Sequence, residues 1–238
     1  MRLRAVLPAI CSFAFLLAAG CDRMPGYPKA RELARPEDQM DFATLYKTNC
    51  QGCHGADGQN GVAMDLANPE YQALVDDATL KRTITGGQAG SRMPGFARSA
   101  GAALTDEQID AIVKGMRAAW RKPGAFGADT PPAYAAAEGE RGDAARGRQL
   151  YGTFCSSCHT RSPDQQVTSP TYLALVSDQA LRTIIIAGRP DLGHPDWRND
   201  QPGHPLSEQD VIDIVTYLGS LRSGATTTPP TQHERGEE

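Results

Sequence analysis

The chain has 238 residues, with 24 lysine and arginine residues against 28 aspartate and glutamate residues and a net charge of −4 at pH 7. This mild acidic balance gives no indication of a nucleic acid or a strongly anionic membrane surface as a partner. The length leaves room for two small domains after removal of a leader segment.

Residues 1–20 have the pattern of a bacterial export signal, with positive charge at the start, an apolar run over 5–19 and a small residue before Cys21. Residues 17–21 read Leu-Ala-Ala-Gly-Cys and resemble a lipoprotein box, which implies that Cys21 is lipidated and becomes the N-terminus. Two alternatives stay open: ordinary cleavage would leave Cys21 unmodified, and an uncleaved leader would anchor the chain, although the run is short for a spanning helix. All three place the bulk of the protein outside the cytoplasm, and lipidation predicts a periplasm-facing position at the bacterial cell membrane.

Two copies of Cys-x-x-Cys-His occur, at residues 50–54 and 155–159. Two thiols one helical turn apart can add across the two vinyl groups of a haem, and the histidine that follows then lies beneath the iron as an axial ligand. A zinc knuckle would need clusters from two separated segments, and a thioredoxin-like redox pair needs no histidine at this position. We therefore predict two covalently bound haem c groups, attached at Cys50, Cys53, Cys155 and Cys158, with His54 and His159 as iron ligands.

The two halves of the chain form an internal repeat that extends beyond these motifs. Leu45 and Leu150 precede the two clusters at the same spacing, and Gly87 matches Gly188 after them, with a shorter loop behind the second histidine. The repeat and the breaks rich in Pro, Gly and Ala define the expected segments. These are a signal peptide in 1–20, a tether in 21–36, domain one in 37–121, a linker in 122–145, domain two in 146–222 and a disordered tail in 223–238.

The spacing of apolar residues predicts helices in both halves. In domain one we expect a first helix from about residue 37 to 53, a second over 77–85 and a last one that starts at Thr105, with acidic residues in its first turn. Ser207 caps a matching last helix in domain two. The three isoleucines at 184–186 have strand propensity, but their repeat partners in domain one lie in a helical pattern. We therefore predict an all-α protein.

The order of these elements resembles class I cytochrome c, twice over. The matching features are a helix, the Cys-x-x-Cys-His motif, a loop with Pro, a short helix, a methionine before Pro and a final amphipathic helix. The resemblance covers about residues 38–120 and 146–222 and implies an all-α fold of two tandem cytochrome c domains. In that family the first and last helices cross near a glycine and an aromatic residue. Gly147 and Tyr151 match in domain two, whereas Phe42 replaces the glycine in domain one and implies a more open crossing.

The same resemblance implies a role for one proline in each half. In class I cytochromes c, a proline carbonyl accepts a hydrogen bond from the ring N–H of the proximal histidine and so orients the ring. Pro69 and Pro170 occupy the matching positions in this sequence. Their alternative role is only to end the loop in which they lie.

Met93, in the sequence Arg-Met-Pro-Gly-Phe of residues 92–96, matches the family's distal methionine. A thioether opposite histidine gives a six-coordinate iron with a raised potential, which suits electron transfer. Methionines more often serve in core packing, and Met64 and Met116 are the competing candidates. Met64 lies in the loop just after the proximal histidine, and Met116 belongs to the apolar stripe of the last helix. Met93 is therefore the predicted second ligand of haem one.

Domain two departs from the family pattern at this position. The repeat pairs Met93 with His194, and Pro195 is kept after it. No methionine follows Met116, so haem two cannot have a methionine ligand from its own domain. His194 is the predicted second ligand of haem two. The alternatives are His204, further along the chain, and a five-coordinate iron with both histidines in surface loops.

These features predict a membrane-anchored dihaem c-type cytochrome that carries single electrons in a respiratory or photosynthetic chain, with redox proteins as donor and acceptor. No nucleophile or carboxylate pair for bond-making chemistry is evident, so we expect neither an enzyme nor a small-molecule substrate. The resemblance includes c4-type cytochromes and the dihaem subunits of quinol-oxidising or terminal oxidase complexes. A fixed subunit of such a complex is thus an alternative. A dihaem peroxidase is a further alternative and would need an open haem two.

Overall fold

The computed structural model of the chain describes residues 35–159, 167–199 and 203–224. The predicted signal peptide, Cys21, nearly all of the tether and the tail beyond residue 224 lie outside the described residues. The chain divides into two units, 1–38 and 39–238. In the first unit, Pro36–Asp38 forms a short 3₁₀ turn, beside which Arg35 pairs with the Asp38 carboxylate at 3.0 Å. Both predicted haem-binding halves belong to the second unit.

Helices form both halves of the second unit. Those of domain one are α1 (Phe42–Asn49), α2 (Gln51–His54), α3 (Pro69–Leu74), α4 (Asp77–Gly86) and α5 (Asp106–Trp120), with a 3₁₀ turn at Arg98–Ala100. Those of domain two are α6 (Ala144–Phe154), α7 (Ser156–His159), α8 (Pro170–Leu173), α9 (Asp178–Ala187) and α10 (Glu208–Ser220), with 3₁₀ turns at Pro190–Leu192 and Leu221–Gly224. The described ranges contain isolated β-bridges but no strand, and the prediction of an all-α fold is confirmed. None of the described helices is long and apolar enough to span a lipid bilayer.

Side chains cap both last helices at the residues predicted from the sequence. The Thr105 hydroxyl accepts a hydrogen bond from the Gln108 N–H at 3.2 Å, and the Gln108 side chain accepts one from the Thr105 N–H at 3.0 Å. Ser207 and Asp210 form the same reciprocal pair at the start of α10, at 2.9 and 3.2 Å. Each pair satisfies two backbone N–H groups that have no partner inside the helix. The predicted starts are therefore confirmed, and residues 184–186 are helical within α9.

The first helix is shorter than predicted. It begins at Phe42, and not near residue 37, because the Asp41 carboxylate accepts a hydrogen bond from the Thr44 N–H at 2.8 Å and caps the chain there. Its other end also differs from the prediction. The helix ends at Asn49, and the haem-binding motif forms the separate turn α2, with Cys50 as the residue between them.

A glycine allows α6 and α10 to cross in contact. A Cβ atom on Gly147 would lie 2.0 Å from the carbonyl oxygen of Asp213, so the two backbones touch and only glycine fits. In domain one the glycine is on the other helix, because a Cβ atom on Gly115 of α5 would lie 2.1 Å from the ring of Phe42 in α1. A side chain thus separates the helices where domain two has backbone contact, in agreement with the predicted open crossing.

Each half buries its own apolar core. The domain-one core consists of Leu45, Tyr46, Leu66, Tyr71, Val75, Leu80, Ile84, Ala97, Leu104, Ile109, Ile112, Val113 and Met116. The domain-two core consists of Tyr151, Leu173, Leu181, Ile186, Trp197, Leu206, Val211, Ile214, Val215 and Leu218. Ala187, at the end of α9, packs into the domain-one core, and Leu74 of α3 packs against both cores. The two domains therefore share an apolar contact.

The predicted linker, residues 122–145, has no helix before the start of α6 but does pack against the protein. The Arg182 guanidinium of α9 donates to the carbonyl oxygen of Ala133 at 2.8 Å. The ring of Phe126 meets Trp197 edge-on, with ring centroids 5.3 Å apart. An aromatic side chain and a backbone carbonyl therefore attach this segment to domain two.

We expect Gly147→Ala to destabilise domain two by about 1–3 kcal/mol, since the new methyl group must push the α10 backbone away. Gly152→Ala in the same helix is the matched control, because a Cβ atom there would have nothing within 4 Å. The control should stabilise the helix by about 0.5–1 kcal/mol. Denaturant unfolding of the two variants measures the difference, and equal stabilisation by both would contradict the close crossing.

Candidate haem sites

Both Cys-x-x-Cys-His motifs form the same one-turn helix. The His54 N–H donates to the carbonyl oxygen of Cys50 at 3.0 Å, and the His159 N–H donates to that of Cys155 at 3.1 Å. The turn follows directly on the long first helix of the domain, because the Cys155 N–H still donates to the Tyr151 carbonyl at 2.9 Å. Two thiols and one imidazole are thereby carried on a single turn, as thioether attachment of a haem requires.

The first thiol of each motif lacks the lowered pKa of a redox-active cysteine. Cys50 and Cys155 are half-buried, and Cys53 and Cys158 are exposed. Burial, followed by the charge of the neighbouring thiol, raises the pKa of Cys50 and of Cys155 to about 11. A thioredoxin-like pair needs a thiol with a lowered pKa, so that the thiolate can attack a disulfide. The raised pKa of Cys50 and of Cys155 therefore disfavours the redox-pair alternative.

The His54 ring is buried and oriented by a backbone carbonyl. Its Nδ1 lies 2.8 Å from the carbonyl oxygen of Met64. A carbonyl can only accept a hydrogen bond, so Nδ1 carries the proton and Nε2 keeps its lone pair for a metal. Burial lowers the pKa of His54, the bond to Met64 opposes this, and the positive charge of Arg189 lowers the pKa further. The neutral imidazole is the form that binds iron.

The prediction that the Pro69 carbonyl accepts this bond was wrong, because the Met64 carbonyl occupies the position. Pro69 is instead the first residue of α3, where its fixed φ and missing N–H suit a helix start, and the Asn68 side chain caps the turn. Pro170 likewise begins α8. Its predicted bond to His159 stays a prediction, since residues 160–166 lie outside the described residues.

Met93 lies in the loop after α4, half-buried and packed against the domain-one core. Its carbonyl accepts a hydrogen bond from the Gln88 N–H at 3.1 Å, which closes the loop. Met116 is inside the core of the same domain, and Met64 presents its carbonyl to His54. The Met64 side chain also packs against the domain-one core, and its carbonyl places this residue on the side of His54, so Met93 remains the predicted ligand.

His194 occupies the corresponding loop of domain two. The centroid of its ring lies 5.8 Å from that of His159, with the ring planes at 46°. A bond between an imidazole nitrogen and a transition-metal ion is about 2 Å long, so this separation would allow both imidazoles to bind one metal ion. His204 is exposed, and its carbonyl accepts a hydrogen bond from the Asn199 side chain at 2.7 Å. The structure thus brings together His159 and the histidine that the repeat predicted.

These donor sets fit a covalently attached haem in each half, and the matches to known proteins agree. Residues 37–114 match the family model described as cytochrome c oxidase, cbb3-type, subunit III, and residues 144–222 match the model described as cytochrome c. Cytochrome c-554(547) of Halothiobacillus neapolitanus is 31% identical over 90 residues, which are 34% of this chain and 99% of that protein. The chain belongs to the cytochrome c family. Cytochrome c-552 of Bradyrhizobium diazoefficiens is 32% identical over 87 residues, which are 34% of this chain and 76% of that protein.

The two family matches lie in tandem, one in each half of the repeat. The protein is therefore a dihaem class I cytochrome c with two covalently bound haem c groups, and the predictions of family, fold and cofactor are confirmed. Cytochrome c domains are electron carriers, in which the cofactor supplies the redox chemistry and the protein sets its environment. Their partners are other redox proteins.

The sequence did not indicate two groups at these sites. The Met64 carbonyl that orients His54 was not identified, because every residue type offers a backbone carbonyl and the resemblance had assigned this role to Pro69. The Arg189 guanidinium, whose charge acts on His54 from the other domain, was also missed. The repeat did contain an indication of this residue, because the charged Arg189 stands where domain one has the uncharged Gln88.

Proposed function

We propose that this dihaem cytochrome carries single electrons between redox proteins through two unlike sites, with His54 and Met93 binding the iron of haem one and His159 and His194 that of haem two. The observation that carries the proposal is the 5.8 Å separation of the His159 and His194 rings. Filled axial positions suit electron transfer, whereas an open position suits the binding or activation of small ligands.

Haem c supplies a one-electron iron couple at each site. The residues of this chain set how easily each site is oxidised. A methionine ligand raises the potential, and imidazole is the stronger donor to ferric iron. The site in domain two is therefore the more reducing one. Electrons would then enter the protein at domain two and leave it from domain one, provided that the donor docks at domain two.

A second candidate function is that of a fixed subunit in a terminal oxidase complex. The match of residues 37–114 to the cbb3-type subunit III model favours it. Both functions use the same two sites and differ in whether the cytochrome dissociates from its partner. A dihaem peroxidase has weaker support, since it would need an open position at haem two, and the His194 ring lies 5.8 Å from the ring of His159.

His194→Met is expected to raise the lower of two midpoint potentials in a redox titration, because a thioether replaces an imidazole. The upper step should not move, since Met93 is unchanged. His204→Ala is the matched control and should leave both steps in place. If His204→Ala shifts the lower step while His194→Met leaves it unchanged, the repeat has identified the wrong histidine.

We also propose that the cytochrome is attached to the bacterial cell membrane by lipid on Cys21 and faces the periplasm. Support comes from the charged and apolar leader before Cys21 and from the lipoprotein-like sequence around it. Haem attachment to thiols in bacteria takes place on the same side of the membrane. Two buried acyl chains are about what stable anchoring requires.

Cys21→Ser should release haem-loaded protein from membranes into the periplasmic fraction, since the lipid can no longer be attached. Fractionation of cells followed by haem staining of gels measures this, with Cys11→Ser as the matched control that stays at the membrane. Retention of the Cys21→Ser protein after a salt wash would contradict anchoring by lipid alone. An oxidase subunit that co-purifies with the retained protein would then favour the fixed-subunit function.

A further inference from the structure

Two loops from different domains meet beside the predicted iron ligands. Residues 58–68 of domain one, here named the proximal loop, contact residues 187–195 of domain two, here named the distal loop. The Asn68 side chain donates to the carbonyl oxygens of Ala187 at 2.8 Å and of Gly188 at 3.3 Å. Asn68 is only 1% exposed, and the carbonyl oxygen of its side chain also caps α3. Its donor and acceptor groups are thus divided between the two domains.

An ion pair of the distal loop makes the other contacts. The Arg189 guanidinium and the Asp191 carboxylate form a two-bond fork, at 2.8 and 2.7 Å. Arg189 also donates to the carbonyl oxygen of Gly61 at 3.0 Å, and Asp191 accepts from the N–H of Asn60 at 2.8 Å. The side chains of Arg189 and Asp191 are 8% and 1% exposed. Both charges are therefore buried against the backbone of domain one, where their hydrogen bonds are strong.

These contacts extend to an iron-binding residue on each side. In the distal loop, Arg189 exchanges two backbone hydrogen bonds with His194, at 2.9 and 3.0 Å. In the proximal loop, a Cβ atom on Gly61 would lie 2.2 Å from the carbonyl oxygen of Cys53 and 2.5 Å from the carbonyl carbon of His54. Arg189 therefore contacts both sites. Its side chain bonds to Gly61, which packs against the turn that carries His54, and its backbone bonds to His194.

The residues that make these contacts differ from their repeat partners. Arg189 and Asp191 stand where domain one has Gln88 and Gly90, and Asn68 stands where domain two has a serine. The contacts are therefore not part of the duplicated fold. They belong to this pair of domains, as does the exchange of methionine for His194.

We propose that Arg189 and Asp191 form an interdomain clasp that positions His194 at haem two by fixing the distal loop to the haem-one domain. The proposal rests on the assignment of His194 as a ligand of haem two. Arg189 and Asp191 act as positioning residues, because they hold the backbone of His194 and do not bind the iron. Loss of either residue would leave the other charge buried and unpaired, which is strongly destabilising. The clasp therefore needs both residues.

The test uses the full-length oxidised cytochrome with Arg189→Met, and with Arg189→Met combined with Asp191→Leu. The double variant leaves no buried charge unpaired, and the same measurements are made on it if the single variant does not fold. Pulsed dipolar electron paramagnetic resonance between the two ferric irons measures the spread of interdomain distances, and the continuous-wave spectrum measures the spin state of haem two. We expect a broadened distance distribution and a partial change of haem two from low spin to high spin.

Arg222→Met is the matched control. Arg222 donates to the carbonyl oxygens of Leu173 at 2.9 Å and of Val176 at 2.7 Å, and it pairs with Asp178, all within domain two. Its loss should lower the stability of that domain. The distance distribution should stay narrow and haem two low spin, because the clasp is intact.

The outcomes separate the clasp from the ligand assignment. A narrow distance distribution in the clasp variants, or a broad one with an unchanged low-spin haem two, overturns the proposal. His194→Ala is measured alongside. If His194→Ala gives high-spin haem two and the clasp variants do not, only the clasp fails. If His194→Ala itself changes nothing at haem two, the ligand assignment fails, and the positioning role fails with it.

Discussion

The position of each haem-binding turn depends on the contact between the first and last helix of its domain, because the turn follows directly on the first helix. The Cys155 N–H still bonds to the Tyr151 carbonyl, so the orientation of α6 dictates where the two thiols and the histidine point. Tyr151 packs against Tyr217 of α10, with ring centroids 5.7 Å apart. Gly147 lies about two helical turns before Cys155, so a change at the crossing acts on the haem-binding turn through this one helix. This explains why the crossing has a glycine in both domains, although on opposite helices.

Duplication produced two similar scaffolds, and the differences between them fall where function is decided. The capping boxes of the last helices and the backbone of the two motifs are shared. The loop after the short middle helix is not, since it presents Met93 in one domain and His194 in the other. The same loop of domain two holds the buried Arg189–Asp191 pair that contacts domain one. With the proposed ligands the two sites are unlike, and this difference would favour electron transfer from domain two to domain one.

Local patterns predicted the parts of this structure that local chemistry decides. The two motifs, the helix starts at Thr105 and Ser207 and the facing position of His194 follow from spacing, capping and the repeat. The start of the first helix was missed, because a single hydrogen bond to Asp41 decided it. The partner of His54 was assigned to the Pro69 carbonyl by resemblance, whereas the Met64 carbonyl fills that place, and every residue type offers such an acceptor. Contacts between the domains join residues far apart in the chain, and no periodic pattern predicts such pairs.

The proposed ligation gives one iron a methionine ligand and the other iron two histidines. Near-infrared absorption of the oxidised cytochrome distinguishes these ligand sets, because methionine bonded to ferric haem gives a charge-transfer band that bis-histidine coordination does not. We expect a band with the intensity of one methionine-ligated haem for every two haems present, lost in Met93→Ala and retained in His194→Ala. A band of two-haem intensity, or a band that survives in Met93→Ala, would show that this ligation is wrong.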